Sequence, residues 1–275
     1  MSQPAELSVR QRAIVDQLQQ HGFIATVDLA EEFGVSDMTI RRDAKRIAEA
    51  GHARVVHGGI SPTHVSGHSA FFAARAREHA EGKRRIAAAC IRLLSDRDVI
   101  LLDAGTTTYE IANALPSSFR GTVITNSLPA VYRTRQLPAA RVIGLGGELL
   151  KDSQAFVGPM PIQALQGLRA SIAFIGISGV GEGGCFIERE HERDIKLAAM
   201  AATDRIVVVA THDKMVRSAL AHLAQFSEID YLVTDAEPPA DVRKQLESAG
   251  TELIVASERL DRSLHPVSSP ARLLR

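Results

Sequence analysis

Four basic side chains lie within six positions of one short segment, SDMTIRRDAKRIAEAG, near the start of the 275-residue chain. They are Arg41, Arg42, Lys45 and Arg46. Guanidinium groups can bind phosphate oxygens, or the acceptor edge of guanine, through two hydrogen bonds at once. Ile40, Ala44 and Ile47 are four and three residues apart, so a helix here would bury them on one side. The pattern predicts an amphipathic helix with a basic exposed face.

The residues around this helix predict a winged helix-turn-helix. One helix is predicted from about Ser8 to Gln20 and a second from Val27 to Phe33. Gly34-Val35-Ser36 then supplies a tight turn, in which the glycine can take a positive φ and the serine can cap the third helix. The segment from His52 to Val56, followed by two glycines, is typical of a β-hairpin wing.

The exposed side of the third helix and the wing supply candidate DNA contacts, because the N-terminal turns of such a helix lie nearest the bases. The candidates are Ser36, Met38, Thr39, Arg41, Arg42, Lys45, Arg46, Arg54 and His57. A solvated basic face alone is the alternative, but the turn, the apolar back and the following strands favour DNA binding. We expect a DNA-binding domain at residues 7–62, with its helix-turn-helix at 24–43.

The distribution of charge supports this hypothesis, although the total does not. The chain holds 32 basic and 32 acidic side chains, and residues 1–60 hold seven basic against eight acidic ones. Five of those seven lie between Arg41 and Arg54, where Asp43 and Glu49 are the acids. A local basic patch is the electrostatic feature that nucleic-acid binding requires.

Composition excludes several other classes. Cys90 and Cys185 are too few for a disulfide framework and lack the spacing of metal ligands. No apolar run approaches the ~18 residues of a membrane span, and the N-terminus has no apolar signal segment. We therefore expect a cytoplasmic protein with no membrane partner, no metal and no cofactor. His64 and His68 are four residues apart in a Ser/Gly/Pro-rich stretch, where metal binding is a minor alternative.

Beyond residue 80, short apolar runs alternate with helical stretches. The runs begin at Val99, Thr122, Arg141, Ile172, Arg205, Ile229 and Glu252. This alternation is typical of a mainly parallel sheet covered by helices on both faces. We expect a linker at 63–80, an α/β sensor domain at 81–258 and a tail at 259–275, with one mostly helical segment from Phe71 to Leu94.

Polar or glycine-rich loops follow the first three predicted strands, where ligands bind in open parallel sheets. Their candidate ligand contacts are Asp103, Gly105, Thr106, Thr107, Thr108, Thr125, Asn126, Ser127, Gly146 and Gly147. A hydroxyl-rich helix start after Gly105 offers free N–H groups to an anion, although an ordinary helix cap explains it as well. Lys196 and Lys214 could neutralise a phosphate, with ordinary surface lysines as the alternative.

The segment VSDMTIRRDAKRIAEAG followed by RVVHGG resembles the signature of the DeoR family of bacterial transcriptional regulators. The resemblance continues through LLDAGTTT, VITNSLPA, GLGGELL, AFVGPM, AFIGISGV, the Glu192-to-Lys196 spacing and Asp213-Lys214, over roughly residues 7–235. It implies a winged helix-turn-helix joined to a sensor domain similar in fold to ribose-5-phosphate isomerase and coenzyme A transferase-like proteins. It also implies a sugar phosphate effector, bound with the help of Glu192, Lys196 and Lys214.

The chain departs from the family pattern at several positions. Ala44 stands where the family has leucine, which trims a core contact but leaves the exposed face intact. Cys185, Phe186 and Ile187 follow a glycine where the family has paired threonines, and Ser171 replaces an aspartate. Thr211-His212 replaces a pair of serines. The extra phenylalanine, Phe186, and the mixed acidic and basic run EREHERD predict an effector of different shape or charge.

Two functional hypotheses follow. The first is a repressor of carbohydrate-metabolism genes that binds an operator in double-stranded DNA as a homodimer or homotetramer, has no catalytic residues, and responds to a phosphorylated sugar metabolite. The second is a sugar-phosphate isomerase-like enzyme with an accessory helix-turn-helix. Its general base would be Asp103, Glu148 or Glu192, but none has an evident acid partner.

Overall fold

The computed structural model describes residues 7–21, 24–50, 52–56, 59–62, 67–217 and 219–256. They group into two compact units, which divide between Glu78 and His79. Unit 1 also includes Leu150–Gln154, and unit 2 holds the remaining described residues. The predicted tail and His57 lie outside the described residues.

Unit 1 contains four helices and a small antiparallel sheet. The helices are α1 (Val9–His21), α2 (Thr26–Glu32), α3 (Asp37–Glu49) and α4 (Gly67–Arg77). The strands are β1 (Ile24–Ala25), β2 (Ala53–Val56) and β3 (Gly59–Pro62), in the order β1-β3-β2. Ile14, Leu18, Leu29, Ile40 and Ile47 form a common buried core. The predicted winged helix-turn-helix fold is confirmed.

Unit 2 is built on a seven-stranded parallel sheet. Its strands are β4 (Val99–Leu102), β5 (Thr122–Thr125), β6 (Arg141–Gly144), β9 (Ile172–Gly176), β12 (Ile206–Val209), β14 (Tyr231–Thr234) and β15 (Glu252–Val255), in the order β15-β14-β12-β9-β4-β5-β6. Each pairs in parallel with its neighbour. These are the seven apolar runs of the sequence, and central strands such as β9 and β12 are apolar because both of their faces are buried.

Helices and shorter strands complete unit 2. The helices are α5 (Ala80–Ile91), α6 (Thr106–Ala114), α7 (Leu128–Thr134), α8 (Pro159–Gln166), α9 (Arg193–Ala201) and α10 (Ala240–Ala249). The shorter strands are β7 (Glu148–Leu150) and β8 (Ala155–Val157), which pair together, and β10 (Gly179–Gly181), β11 (Gly184–Ile187) and β13 (Ala221–Gln225), which form a second antiparallel sheet. Short 3-10 turns span Glu190–Glu192, His212–Val216 and Phe226–Glu228.

The predicted helical segment from Phe71 to Leu94 is wrong as one element. α4 begins earlier, at Gly67, and ends at Arg77, and α5 begins at Ala80. His79 between them has φ 52, in the left-handed region, which ends one helix before the next begins. In the part of the chain that the structure describes, no helix is long and apolar enough to cross a membrane.

Candidate DNA-binding surface and ligand site

The turn before α3 fixes where this helix begins. Gly34 has φ 62, and the Ser36 Oγ accepts a hydrogen bond from the Thr39 N–H at 3.3 Å. The hydroxyls of Ser36 and Thr39 also lie 2.9 Å apart. Ser36 is therefore the N-cap of α3, and it satisfies one of the donors that the first helical turn leaves unpaired.

The buried side of α3 holds an acidic residue to which the sequence analysis gave no role. Asp43 lies on the same face as Ile40 and Ile47, and it is 5% exposed. Its carboxylate accepts from the Arg10 Nε at 2.7 Å and from the Gln11 Nε2 at 2.8 Å. These bonds join α1 to α3 and hold the exposed face in a fixed orientation. The sequence did contain a signal for the burial of Asp43, because this residue is three positions after Ile40 and four before Ile47 and so lies on their side of the helix.

Two of the basic side chains on the exposed side of α3 are paired with acidic residues of the same helix. Arg41 donates from Nε to Asp37 at 2.6 Å, and the Lys45 Nζ lies 3.9 Å from Glu49. Hydrogen bonds from Thr26 and Arg41 hold the pKa of Asp37 below its ordinary value.

Arg42 and Arg46 are also exposed, and among the described residues neither has an ion-pair partner. They are one helical turn apart, so their guanidinium groups lie on one side of the helix and are available to a phosphate or a base.

The wing has the predicted hairpin form, with β2 and β3 antiparallel. Arg54 lies in β2, opposite Ser61. The structure does not describe the side chain of Arg54, and His57 falls outside the described residues, so the predicted contacts of both stay predictions.

The three predicted ligand loops of unit 2 lie at one edge of the parallel sheet. They follow β4, β5 and β6, which are consecutive neighbours. The carboxyl ends of parallel strands face the same way, so Asp103–Thr108, Thr125–Ser127 and Gly144–Gly147 are brought to the same side.

A buried ion pair lies beside these loops. The Lys196 Nζ on α9 binds the Asp103 carboxylate, and both side chains are at least nine-tenths buried. Lys196 also donates to the Gly176 carbonyl at 3.1 Å, and the Gly176 N–H donates to Asp103 at 3.0 Å. Burial raises the pKa of the Asp103 carboxyl, and Glu192 adds to the rise, while Lys196 and the Gly176 N–H oppose it. Lys196 is therefore not an ordinary surface lysine.

Several polar side chains that were predicted to contact the ligand form hydrogen bonds within the protein instead. Thr108 Oγ1 donates to the Asp103 carbonyl at 2.6 Å, and Thr125 Oγ1 donates to the Leu102 carbonyl at 2.6 Å. The Ser127 Oγ caps α7 by accepting from the Ala130 N–H at 3.3 Å. Asn126 donates its side-chain amide to the Phe156 carbonyl at 3.2 Å. These side chains shape the loops.

The backbone at the start of α6 offers a different set of donors. The Tyr109 N–H makes the first bond of the helix, to the Gly105 carbonyl at 3.0 Å. The N–H groups of Thr106, Thr107 and Thr108 precede that bond, so they point out of the helix end, where its dipole also favours an anion. Gly146 and Gly147 have φ 65 and φ 114, and a Cβ on Gly147 would lie 2.7 Å from the Val157 carbonyl oxygen.

Glu192 and Lys214 lie in 3-10 turns of unit 2. The Glu192 carboxylate is 3.5 Å from the Arg189 guanidinium, and its buried Oε1 accepts no hydrogen bond within the described residues. Lys214 donates to Asp213 at 2.8 Å. Burial would raise the pKa of Asp213, but hydrogen bonds from Lys214 and Thr211 outweigh it and leave the pKa below its ordinary value.

Other polar groups of unit 2 lie outside this constellation. Cys185 is buried in β11, and burial raises the pKa of its thiol to about 12. In the described ranges, no group of three His, Cys, Asp or Glu side chains could hold a metal ion. His64 and the side chain of His68 lie outside the part of the chain that the structure describes. A cleft of about 440 Å³ contains no predicted effector residue and is lined by Gly183, Gln225, Phe226, Ser227, Lys244, Gln245, Ser248 and Ala249.

These features define a class of protein with a winged helix-turn-helix unit and a separate parallel α/β unit. The chain matches the family model described as a DeoR-like helix-turn-helix domain over residues 10–64. It matches the DeoR C terminal sensor domain over residues 78–236. The chain therefore belongs to the DeoR family of transcriptional regulators, as the resemblance of its motifs predicted.

Curated relatives are similar along most of their length. The glycerol-3-phosphate regulon repressor of Escherichia coli (strain K12) is 29% identical over 238 residues, which cover 86% of this chain and 94% of the relative. The HTH-type transcriptional regulator GlpR of Haloferax volcanii is 30% identical, over 91% of this chain and 97% of the relative. Ribose 5-phosphate isomerase A from Methanocaldococcus jannaschii aligns with 48% of this chain and 52% of its own, at 19% identity and a TM-score of 0.35.

Proposed function

We propose that this regulator is an operator-binding repressor whose affinity for DNA is controlled by a phosphorylated sugar-type metabolite. The observation that carries the DNA-binding half is the exposed basic face of α3, with Arg42 and Arg46 unpaired among the described residues. The name of the E. coli relative, a glycerol-3-phosphate regulon repressor, supports both repression and a phosphorylated effector.

α3 would enter the major groove with its N-terminal turns nearest the bases. Arg42 would contact a base edge, and Arg46, one turn later, would contact a phosphate. Ser36, Thr39, Arg41 and Lys45 would bind the DNA backbone or bases beside them, together with Arg54 and His57 of the wing. Two such helices, from a homodimer or homotetramer, would bind half-sites one DNA turn apart.

The effector would bind at the carboxyl edge of the parallel sheet in unit 2. Its phosphate would be bound by the N–H groups of Thr106 and Thr107, which precede the first hydrogen bond of α6, and by Lys214, which pairs with Asp213 but is only partly buried. Its hydroxyl groups would bind the Asp103–Lys196 pair and the Oε1 of Glu192, which lies 3.5 Å from Arg189 but accepts no hydrogen bond within the described residues. The loops with Gly105, Asn126 and Gly146-Gly147 would form the wall.

Residues 7–62 would act as the DNA-binding domain and 81–258 as the sensor, joined by the linker at 63–80. The effector would change DNA affinity by binding one arrangement of the protein more tightly than another. We propose that the protein has no enzymatic activity, since the family consists of regulators. We also propose that it is cytoplasmic, because its DNA target would be there.

The test begins with selection of DNA sites from a random duplex library by the purified protein. The proposal expects a recurring sequence with two related half-sites. Sugar phosphates and the polyol phosphate glycerol 3-phosphate are then compared with their unphosphorylated forms in thermal unfolding. At 100 times its dissociation constant a ligand adds ~2.7 kcal/mol to stability. This corresponds to a shift of roughly 5–10 °C.

Recovery of no preferred site would overturn the repressor proposal. A shift caused by unphosphorylated sugars, with none from any phosphate, would overturn the effector proposal alone. Interconversion of aldose and ketose phosphates by the protein would support the enzyme alternative.

A further inference from the structure

The start of α3 presents an apolar side chain to solvent between groups that bind DNA. Met38 is the second residue of this helix, and 68% of it is exposed. The apolar residues of the opposite face, Ile40, Ala44 and Ile47, are at most 1% exposed. Met38 therefore does not belong to the core of unit 1. Its exposed side chain does not stabilise the fold.

The neighbours of Met38 determine what it can contact. Arg42 is four residues further on and Arg46 four beyond that, so the three side chains form one stripe along the helix. Arg41 lies to one side, with its guanidinium bound to Asp37 at 2.6 Å. Ser36 is the N-cap, and its hydroxyl is hydrogen-bonded to both the hydroxyl and the N–H of Thr39. The unrestrained side chains of the first two turns are thus Met38 and Arg42.

An apolar group in the DNA major groove has one specific partner, the C5-methyl group of thymine. The other base edges in that groove present hydrogen-bond donors and acceptors, which a thioether side chain cannot satisfy. The positive charge of Arg42 and Arg46 would bring this stripe against DNA and not against another apolar surface.

We propose that Met38 is a specificity-determining residue, which contacts the methyl group of a thymine in each half-site. Four helical residues rise about 6 Å. Successive base pairs rise about 3.4 Å. The thymine should therefore lie one or two base pairs from the base that Arg42 contacts. This inference rests on the proposed binding of DNA by α3.

The experiment replaces thymine by deoxyuridine, which lacks only the methyl group, one position at a time in a site selected by the wild-type protein. At one position in each half-site, deoxyuridine should weaken binding about fourfold, the equivalent of ~0.8 kcal/mol for one buried methyl group. The Met38→Ala variant should bind the thymine and deoxyuridine duplexes equally at that position. Val9→Ala removes another exposed apolar side chain of unit 1, 81% exposed on α1, and should keep the fourfold ratio.

Two results would overturn the inference while the repressor proposal stands: no deoxyuridine substitution changes affinity, or Met38→Ala keeps the wild-type ratio at the sensitive position. Failure of the wild-type protein to select any sequence would instead overturn both. Thermal unfolding of Met38→Ala should match wild type because the side chain is exposed, which separates a lost contact from a lost fold.

Discussion

The two units differ in the exposure and pairing of their candidate functional groups. In unit 1 the groups with candidate functions are exposed, and Arg42 and Arg46 have no acidic partner among the described residues. In unit 2 several of the candidate side chains are buried and bound to the protein: Lys196 binds Asp103, and Thr125 binds a backbone carbonyl.

This difference follows from the partners that each unit would bind. An exposed guanidinium is hydrated, so leaving it unpaired costs little, and a polyanion can bind it by displacing counterions. A buried lysine would be costly without an anion beside it. A ligand in unit 2 would therefore have to offer groups that match or replace the existing hydrogen bonds. DNA could bind the exposed arginines Arg42 and Arg46 of unit 1 without breaking any ion pair among the described residues.

The largest effect is expected from breaking the buried pair. Lys196→Ala should lower the free energy of unfolding by about 3–5 kcal/mol, because it leaves the Asp103 carboxyl buried without its cation. Chemical denaturation followed by circular dichroism measures the change. The double variant Asp103→Asn with Lys196→Met removes both charges, so it should recover much of the loss.

Lys244 supplies the matched control for this measurement, since it is an exposed lysine on α10 of the same unit. Lys244→Ala should change stability by no more than about 0.5 kcal/mol. Equal effects at Lys196 and Lys244 would contradict the contrast between the two units. Tests of effector response should use the double variant, because the single alanine confounds ligand binding with stability.

A smaller effect, on binding and not on folding, is expected in unit 1. Arg42→Ala should weaken operator binding by ~1–3 kcal/mol and relax the preference at one base pair. Arg46→Ala should weaken binding to all duplexes about equally and reduce the salt dependence by about one counterion, as for a phosphate contact. Fluorescence anisotropy with operator and random duplexes at several salt concentrations separates the two patterns.

Arg169 in unit 2 is an exposed arginine paired with Asp204, and it serves as the control for lost positive charge. Arg169→Ala should leave DNA binding unchanged. If Arg42→Ala instead matched this control, Arg42 would not belong to the contact surface.

The sequence predicted those parts of the fold that depend on local patterns. All seven strands of the parallel sheet came from apolar runs, such as Ile206–Val209, whose four residues are each buried. The position of α3 came from the spacing of Ile40, Ala44 and Ile47. In both cases neighbouring residues share one environment, so the pattern is complete within a short window.

Other features depend on residues far apart in the chain and were not predictable. Asp103 and Lys196 are 93 positions apart, and nothing near either residue indicates that one binds the other. The antiparallel sheet of β10, β11 and β13 was missed because its segments are short: β10 has two glycines among three residues, and β11 has only three consecutive apolar residues, Cys185 to Ile187. The left-handed conformation of His79 was not predictable, since only a few per cent of non-glycine residues take a positive φ and a histidine alone does not mark such a position.

The smallest expected effect compares two serine caps whose capping hydrogen bonds have the same length. Ser36 on α3 and Ser127 on α7 each accept one backbone N–H at 3.3 Å, but Ser36 is exposed and Ser127 is 1% exposed. After Ser36→Ala water can reach the freed Thr39 N–H, so the loss should be about 0.5 kcal/mol, the low end for such caps. After Ser127→Ala the Ala130 N–H stays buried without a partner, so the loss should approach ~2 kcal/mol. Urea unfolding of both variants measures the difference, and equal losses would mean that burial does not distinguish the polar groups of the two units.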